Sequence, residues 1–428
     1  MKPRIIPTLL TLVISVAVVA VLLGEDSFQD NKVVVSGLVA TDANLKVAFI
    51  GDSGYGANFE AVLNLVKNEG AQIVLHQGDF DYSDDPDGFE AKINNILGSG
   101  FPYFVAVGNH DAASWNEGCG DSDGCYAPIF RNRANAQGIT TDDPDLNDQK
   151  YSITYRGLKI VFAGENGNNS EFAGFVANQL LGDSHIWKIC SWHKNQAAMQ
   201  VGGKTDEMGW DIYDNCRAYG AIIATGHEHS YSRTKTLTSM ATQTVDSTCA
   251  NPQSLCVEAG RTFAFVSGLG GHSIRPQLRC LPTSYPYGCN GEWASIYTSN
   301  QGAAYGALFI TFYVDGDPYK ARGYFKNISG TVVDSFDIKY GPNPASPPAP
   351  TPAPVPSPNK ETVPSPEPGA EETSVSPSPP DSEVTPAVSA SLGAEIFAKE
   401  KIPAYLTLLV LLVTMVVIGW LWRIGRLR

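Results

Sequence analysis

Seven side chains able to bind metal ions each stand where an apolar run gives way to a loop: Asp52, Asp79, Tyr82, Asn109, His193, His227 and His229. They sit in Gly51-Asp52-Ser53-Gly54, Gly78-Asp79-Phe80-Asp81-Tyr82, Gly108-Asn109-His110-Asp111, Trp192-His193 and Gly226-His227-Glu228-His229. Carboxylate, amide, imidazole and phenol are donors that transition ions take, and seven donors suffice for two ions if one carboxylate is shared. Two ions about 3.5–4 Å apart clamp the attacking and leaving oxygens of an in-line displacement at phosphorus. Gly54 stands where an Asp-x-His motif would place a ligand, and Tyr82 brings a phenol three residues after Asp79. A phenolate is a hard, strongly donating anion that trivalent iron favours, so this exchange bears on which metals are held.

The elements that must position these groups are legible as alternating signals. Leu45 to Ile50 reads as a strand, and Asn58 to Glu69 carries Phe59, Val62, Leu63 and Val66 at helical spacing before Gly70. Ile73 to Leu75 is a second strand, Phe89, Ile93, Ile96 and Leu97 mark a helix, and Tyr103 to Val107 is a third strand. Leu158 to Ala163, Ile186 to Cys190 and Ala221 to Ala224 read as further strands, and the pattern after Arg261 is mostly strands. Asp52, Asp79, Asn109, His193 and His227 thus each follow the C-terminal end of a strand, the edge at which α/β sheets place their sites. The glycines before them suit sharp turns or close backbone approach.

With these motifs the chain resembles the calcineurin-like metallophosphoesterases, and within them the purple acid phosphatases. The likeness covers Val47 to about Arg233, with weaker echoes in Phe263 to Gly271. It implies an α/β fold, a four-layer α-β-β-α sandwich. It also implies that Asp79 bridges two ions, that Asp52, Tyr82 and His229 complete a ferric site, and that Asn109, His193 and His227 complete a divalent site for zinc, iron or manganese. Metal-bound hydroxide, rather than a side chain, is then the nucleophile toward a phosphate ester. His110 is expected to hydrogen-bond phosphate or protonate the leaving alkoxide, with Asp111 orienting its ring. Relatives often carry a further histidine soon after the His193 equivalent, whereas none lies between His193 and His227 here. Lys194, Asn195 and Lys204 are candidates to hold phosphate, against the plainer reading of solvated surface residues. His76 reads as a core residue, and His272, after Gly268-Leu269-Gly270-Gly271, as an outside candidate for substrate contact.

The ends of the chain read differently from its centre. Lys2 and Arg4 precede a charge-free apolar run from Ile5 to Leu23, so residues 1–24 read as a signal peptide or an uncleaved signal anchor. Residues 44–340 form the folded domain. Gly341 to Ala390 holds 16 of the 28 prolines, so 341–398 reads as a stalk of polyproline II character. Ile402 to Trp422 is 21 residues without a charge, long enough for a transmembrane helix, and Arg423, Arg426 and Arg428 in the 423–428 tail favour a cytoplasmic C-terminus. The domain is then extracellular or lumenal. Its eight cysteines suit four disulfides, for which local spacing suggests Cys119–Cys125, Cys190–Cys216, Cys249–Cys256 and Cys280–Cys289. Asn168-Asn169-Ser170 and Asn327-Ile328-Ser329 match the glycosylation acceptor pattern. A formal charge of −14 without a basic block argues against binding to nucleic-acid duplexes. The carboxylates at Asp81, Asp84, Asp85 and Asp87 lack EF-hand spacing and read as a charged loop rather than a calcium site.

Overall fold

The computed structural model describes residues 43–341, apart from 117–124, 140, 144–145, 147 and 166–168. The expected segment 1–24, the stalk beyond Gly341, the 402–422 span and the 423–428 tail lie outside the described residues. Among the described residues, no helix is long and apolar enough to cross a membrane.

The chain opens with β1 (Leu45–Ile50), α1 (Ala57–Asn68), β2 (Ile73–His76), α2 (Pro86–Leu97), β3 (Tyr103–Val105) and α3 (Tyr126–Ala136). Next come β4 (Tyr151–Tyr155), β5 (Leu158–Phe162), α4 (Asn169–Leu180), β6 (Trp187–Ser191), α5 (Trp210–Ala218) and β7 (Ala221–Thr225). The remainder is strands: β8 (Tyr231–Thr234), β9 (Leu237–Ser239), β10 (Thr244–Val245), β11 (Ser254–Val257), β12 (Ala264–Ser267), β13 (Trp293–Tyr297), β14 (Gly306–Phe312), β15 (Lys320–Asn327) and β16 (Val332–Tyr340). Local chemistry sets the boundaries. Asp85 caps α2 by accepting the Gly88 N–H at 3.0 Å, and Pro86 supplies the fixed φ of a first helical residue.

Two seven-stranded sheets result, in the orders β11-β16-β15-β14-β1-β2-β3 and β13-β8-β12-β7-β6-β5-β4. The β1-β2-β3 run and the β5-β6-β7 run are parallel, whereas β14, β15 and β16 pair antiparallel. Aromatic side chains meet between the sheets. Phe49 stands edge-on to Phe265 at 5.1 Å between centroids, Trp187 to Phe312 at 5.3 Å, and Tyr231 lies on Phe325 at 4.3 Å. Each ring buried this way contributes roughly 1.5–3 kcal/mol.

Strand alternation in the second sheet divides the core. Ile160, Phe162, Trp187, Ile189, Ile222 and Ala224 join the inter-sheet cluster, while Val161, Cys190, Ala221 and Ile223 face the cluster containing Phe172, Val176, Ile212 and Tyr213 of α4 and α5. Helices α1, α2 and α3 pack on the first sheet, which completes the four layers.

Three of the expected disulfides are present: Cys190–Cys216, tying β6 to α5, Cys249–Cys256 and Cys280–Cys289. Cys125 is also disulfide-bonded, and Cys119, the partner expected for it, lies outside the described residues. Asn168 lies outside them as well. Asn327 corrects its motif reading, because its side chain is 5% exposed, with Nδ2 donating to Tyr297 Oη at 3.1 Å and Oδ1 accepting from Ser329 and Thr331. A glycan at Asn327 would require that buried nitrogen, so the folded domain offers no acceptor there.

Candidate metal centre

Parallel strands β1, β2 and β3 deliver Asp52, Asp79 and Asn109 from one sheet, and β6 and β7 deliver His193 and His227 from the other. The donors form two clusters that share one member. Asp79, His193 and His227 bring ligand atoms within 4.8 Å of one another, and so do Asp52, Asp79 and His229. Every one of these five side chains is buried. Tyr82 Oη joins the second cluster at 3.2 Å from both Asp52 Oδ1 and His229 Nε2.

Backbone geometry at the ligands is strained in a consistent way. Asp52, Asp79, Tyr82 and His227 have φ of 56°, 56°, 60° and 68°, the left-handed region that side chains other than glycine rarely adopt. Such residues concentrate at functional sites, where surrounding contacts over-determine the backbone. The contacts around Asp79 are explicit, because the buried Asp111 carboxylate accepts the N–H groups of Asp79, Phe80 and Gly108 at 2.7–2.8 Å. Phe80 wedges the loop from behind, against Tyr126 at 4.9 Å and Phe130 at 5.4 Å. A side chain at Gly108 would place Cβ 2.3 Å from both the nitrogen and Oδ1 of Asp79, so the second and third motifs meet only because that residue is glycine.

Imidazole orientation is fixed by the ring nitrogen that faces away from the donors. His193 Nδ1 donates to the Gln77 carbonyl at 2.7 Å, which leaves Nε2 toward Asp79 Oδ2 at 3.2 Å. His229 hydrogen-bonds Ser273 Oγ through Nδ1, and its Nε2 lies 3.2 Å from Asp52 Oδ1. His227 turns the other way, with Nδ1 3.0 Å from His193 Nε2 and Nε2 2.9 Å from Glu207 Oε2. Burial alone would lower the pKa of His193, but the Asp79 charge beside it brings it up to about 9. Burial, and then His193, hold His227 well below the ordinary histidine range.

Metal ions suit these residues. Asn109 Oδ1 is buried and has no hydrogen-bond partner among the described residues, the signature of an amide oxygen reserved for another acceptor-seeking group. Burial, followed by the charges of Asp52 and Asp79, pushes the Tyr82 phenol far above its usual pKa, so a phenolate at this position needs a cation beside it.

The remaining candidates divide. His110 is exposed, its ring 4.5 Å from that of Tyr82, and its backbone N–H donates to Asp79 Oδ1 at 3.0 Å. Asp111 does not orient that ring, because both of its oxygens are taken by backbone N–H groups of the Asp79 and Gly108 loops. Lys194 pairs with Glu165 and approaches Glu207 at 3.7 Å, and Asn195 Nδ2 donates to the Gly226 carbonyl at 2.6 Å, so neither reaches toward the donors. His76 is a core residue as expected, hydrogen-bonded to Ser53 Oγ at 3.0 Å and lowered by burial to about 3. Asp81 accepts the N–H groups of Ser83, Asp84 and Asp85, which makes the acidic cluster a self-capped turn.

His272 is more central than its sequence suggests. Its ring stacks on Tyr82 at 3.7 Å and 13° between planes, and its N–H donates to the Asp52 carbonyl at 3.0 Å. Glu207 and Ser273 carry no motif at all. Each is recognisable only because a ligand imidazole turns its outward nitrogen toward it.

Residues 45–231 match the calcineurin-like phosphoesterase family. No curated protein matches the chain. Among solved structures, the chain is similar to purple acid phosphatase PPD1 from yellow lupin (Lupinus luteus) seeds, with 18% identity and a TM-score of 0.50 over 70% of this chain and 54% of that one. It therefore spans about half the length of the lupin protein. It is also similar to GAP50, the anchor in the inner membrane complex of Plasmodium, with 12% identity and a TM-score of 0.43 over 71% of this chain and 90% of that one. A likeness to PhoD has 12% identity and a TM-score of 0.42 over 70% and 74% of the two chains. The stretch that matches the family contains all seven donors, from Asp52 to His229, and both clusters they form. Residues 45–231 thus carry the match to the calcineurin-like phosphoesterases, and the fold is similar to that of the lupin purple acid phosphatase.

Proposed function

We propose that this chain is a membrane-anchored, outward-facing phosphohydrolase that cleaves phosphate monoesters with a binuclear metal centre, Fe(III) in the Tyr82 cluster and zinc, iron or manganese in the other. The observation that carries this reading is the single carboxylate of Asp79, shared by two donor clusters. Bound there, two ions would supply Lewis-acid clamping of phosphate and activation of water. The protein's own residues do the rest. Asp79, Asp52, Tyr82 and His229 would hold one ion, and Asp79, Asn109, His193 and His227 the other. Exposed His110, tied to the shared Asp79 carboxylate through its backbone, would give a proton to the leaving oxygen. Asp111 keeps the Asp79 and Gly108 loops in register. Anchoring and outward orientation rest on the apolar run 402–422, the arginines after it and the disulfides of the domain.

The test is metal content and an optical spectrum on the purified protein, together with turnover of p-nitrophenyl phosphate and of its bis ester. Two metals per chain, a visible tyrosinate band and faster cleavage of the monoester are expected. A colourless protein with iron bound would remove the ferric assignment, and preference for the bis ester would remove the monoesterase assignment.

A further inference from the structure

A cavity of about 380 Å³ opens where β13, the outer strand of one sheet, comes beside the first half of β16 in the other. None of the seven donors lines it. Strand pairing explains the space. β11 runs alongside β16 only from Asp337 onward, so Val332 to Phe336 have no strand on that side among the described residues. Each flanking strand also carries one extra residue here, Ala294 where β13 pairs with β8 and Val333 where β16 pairs with β15, and both line the cavity. Such bulges bend a strand and re-aim its side chains. The floor is polar but closed in charge. Asp334 accepts from Arg233 Nε at 2.7 Å, Arg233 Nη2 at 3.0 Å and Tyr231 Oη at 2.7 Å. Further guanidinium N–H groups donate to the Pro252 and Thr234 carbonyls, and the guanidinium carbon lies 3.9 Å from the Phe336 ring centre. The walls are aromatic. Tyr285, 52% exposed, stands edge-on to Tyr287 at 5.8 Å in the loop closed by the Cys280–Cys289 disulfide, and Tyr287 is fixed by accepting the Ile296 N–H at 3.2 Å. Exposed Gln253 and Ser335 add an amide and a hydroxyl.

We propose that this cavity is a carbohydrate-binding site, seating a neutral pyranose ring of a glycan apart from the donor clusters. Three features of the lining select that class. A sugar ring offers apolar C–H faces, which pack against an aromatic side chain such as the half-exposed Tyr285. Its hydroxyls both donate and accept, and the Gln253 amide, the Ser335 hydroxyl and the Asp334 carboxylate supply partners for both roles. Because Arg233 and Asp334 neutralise each other, the floor gives a phosphate or an ammonium ion no uncompensated charge to pair with. The Lys235 ammonium, 5.8 Å from the Tyr285 ring centre, donates to the Gly291 carbonyl at 2.7 Å and is not among the lining residues. The volume falls within the roughly 300–1,000 Å³ of small-ligand sites. Sugar binding here needs no metal and does not rest on the phosphohydrolase reading.

The test is saturation-transfer NMR on the full-length protein, in a detergent without a sugar headgroup. The probes are methyl α-mannopyranoside, methyl β-glucopyranoside, methyl β-galactopyranoside and N-acetylglucosamine. At least one should receive saturation at its ring protons, and adding inorganic phosphate or a chelator should leave the signal unchanged. Tyr285→Ala should weaken binding of that sugar about fivefold or more, whereas Tyr285→Phe, which keeps the ring face, should retain it. Gln253→Ala should weaken it about threefold or more through loss of the amide contact. Both positions are exposed, so Tm should stay where it is in all three variants. Absence of transfer to all four sugars, equal binding by Tyr285→Ala, or displacement of the sugar by phosphate would each overturn the proposal.

Discussion

The two donor clusters share Asp79 but are built differently. On the Tyr82 side, the donors hold one another: Tyr82 Oη contacts Asp52 Oδ1 and His229 Nε2, and His110 and His272 flank the phenol ring. On the His193 and His227 side, to which the proposed function adds Asn109, the donors face an unfilled need. Asn109 Oδ1 has no hydrogen-bond partner among the described residues, and two imidazole nitrogens point at each other across 3.0 Å. Both halves are held by contacts, but only the second keeps an amide oxygen without a partner among the described residues beside its His193–Asp79 contact. A metal should therefore leave the Asn109 half more readily, and the Tyr82 half should tolerate loss of a single donor better.

Removal of the shared member should erase the contrast. Asp79→Ala takes a ligand from both clusters, so metal content by atomic emission should fall below one ion per chain. Activity on p-nitrophenyl phosphate should drop on the order of a thousandfold or more. Retention of two ions would show that the clusters do not depend on the shared carboxylate. Next in size is Asn109→Ala. It should cut affinity for one ion about a hundredfold while any tyrosinate band persists, so that competition with a chelator yields a one-metal, coloured protein. Simultaneous loss of both ions would refute the independence of the halves. Tyr82→Phe is smaller again. The Asp52 and His229 contacts to each other survive at 3.2 Å, so metal content should hold and turnover should fall by about tenfold or less while colour disappears.

Legibility in the sequence followed the same division. Strands β1, β2, β3, β5, β6 and β7 are readable because they are short apolar runs, most of them ending at a glycine, and the ends of β1, β2, β3, β6 and β7 locate the donors. Helices α3, α4 and α5 were not read. Pro128 and a cysteine cap obscure the start of α3, Gly174 interrupts α4, and α5 is nine residues whose polar positions leave few apolar markers. The candidate metal donors are legible as motifs because each is fixed by its neighbours in sequence. Glu207 and Ser273 are not, since their roles arise from loops brought in from elsewhere in the chain. Asp111 departs from expectation for a related reason: adjacency to His110 suggests a ring partner, but a fully buried carboxylate must satisfy its oxygens, and three backbone N–H groups lie within reach.

Gly54 offers the finest probe of the Tyr82 half. The residue has φ of +64°, and a Cβ there would lie 3.3 Å from His272 Cα and 3.4 Å from its Cβ and Cδ2. Alanine in that conformation costs about 1 kcal/mol, and the added methyl must push His272 by a few tenths of an ångström. His272 is stacked on Tyr82, so the displacement is passed to the phenol and not to the Asn109 side. Gly54→Ala should lower Tm by roughly 2–4 °C and shift the tyrosinate absorption, with metal content and the affinity of the Asn109 half unchanged. A matching drop in both halves would mean that the strain spreads through Asp52, whose backbone carbonyl accepts the His272 N–H and whose Oδ2 accepts the His227 N–H. The halves would then be mechanically coupled through Asp52 as well as chemically joined through Asp79, and the difference between them would lie in their donors alone.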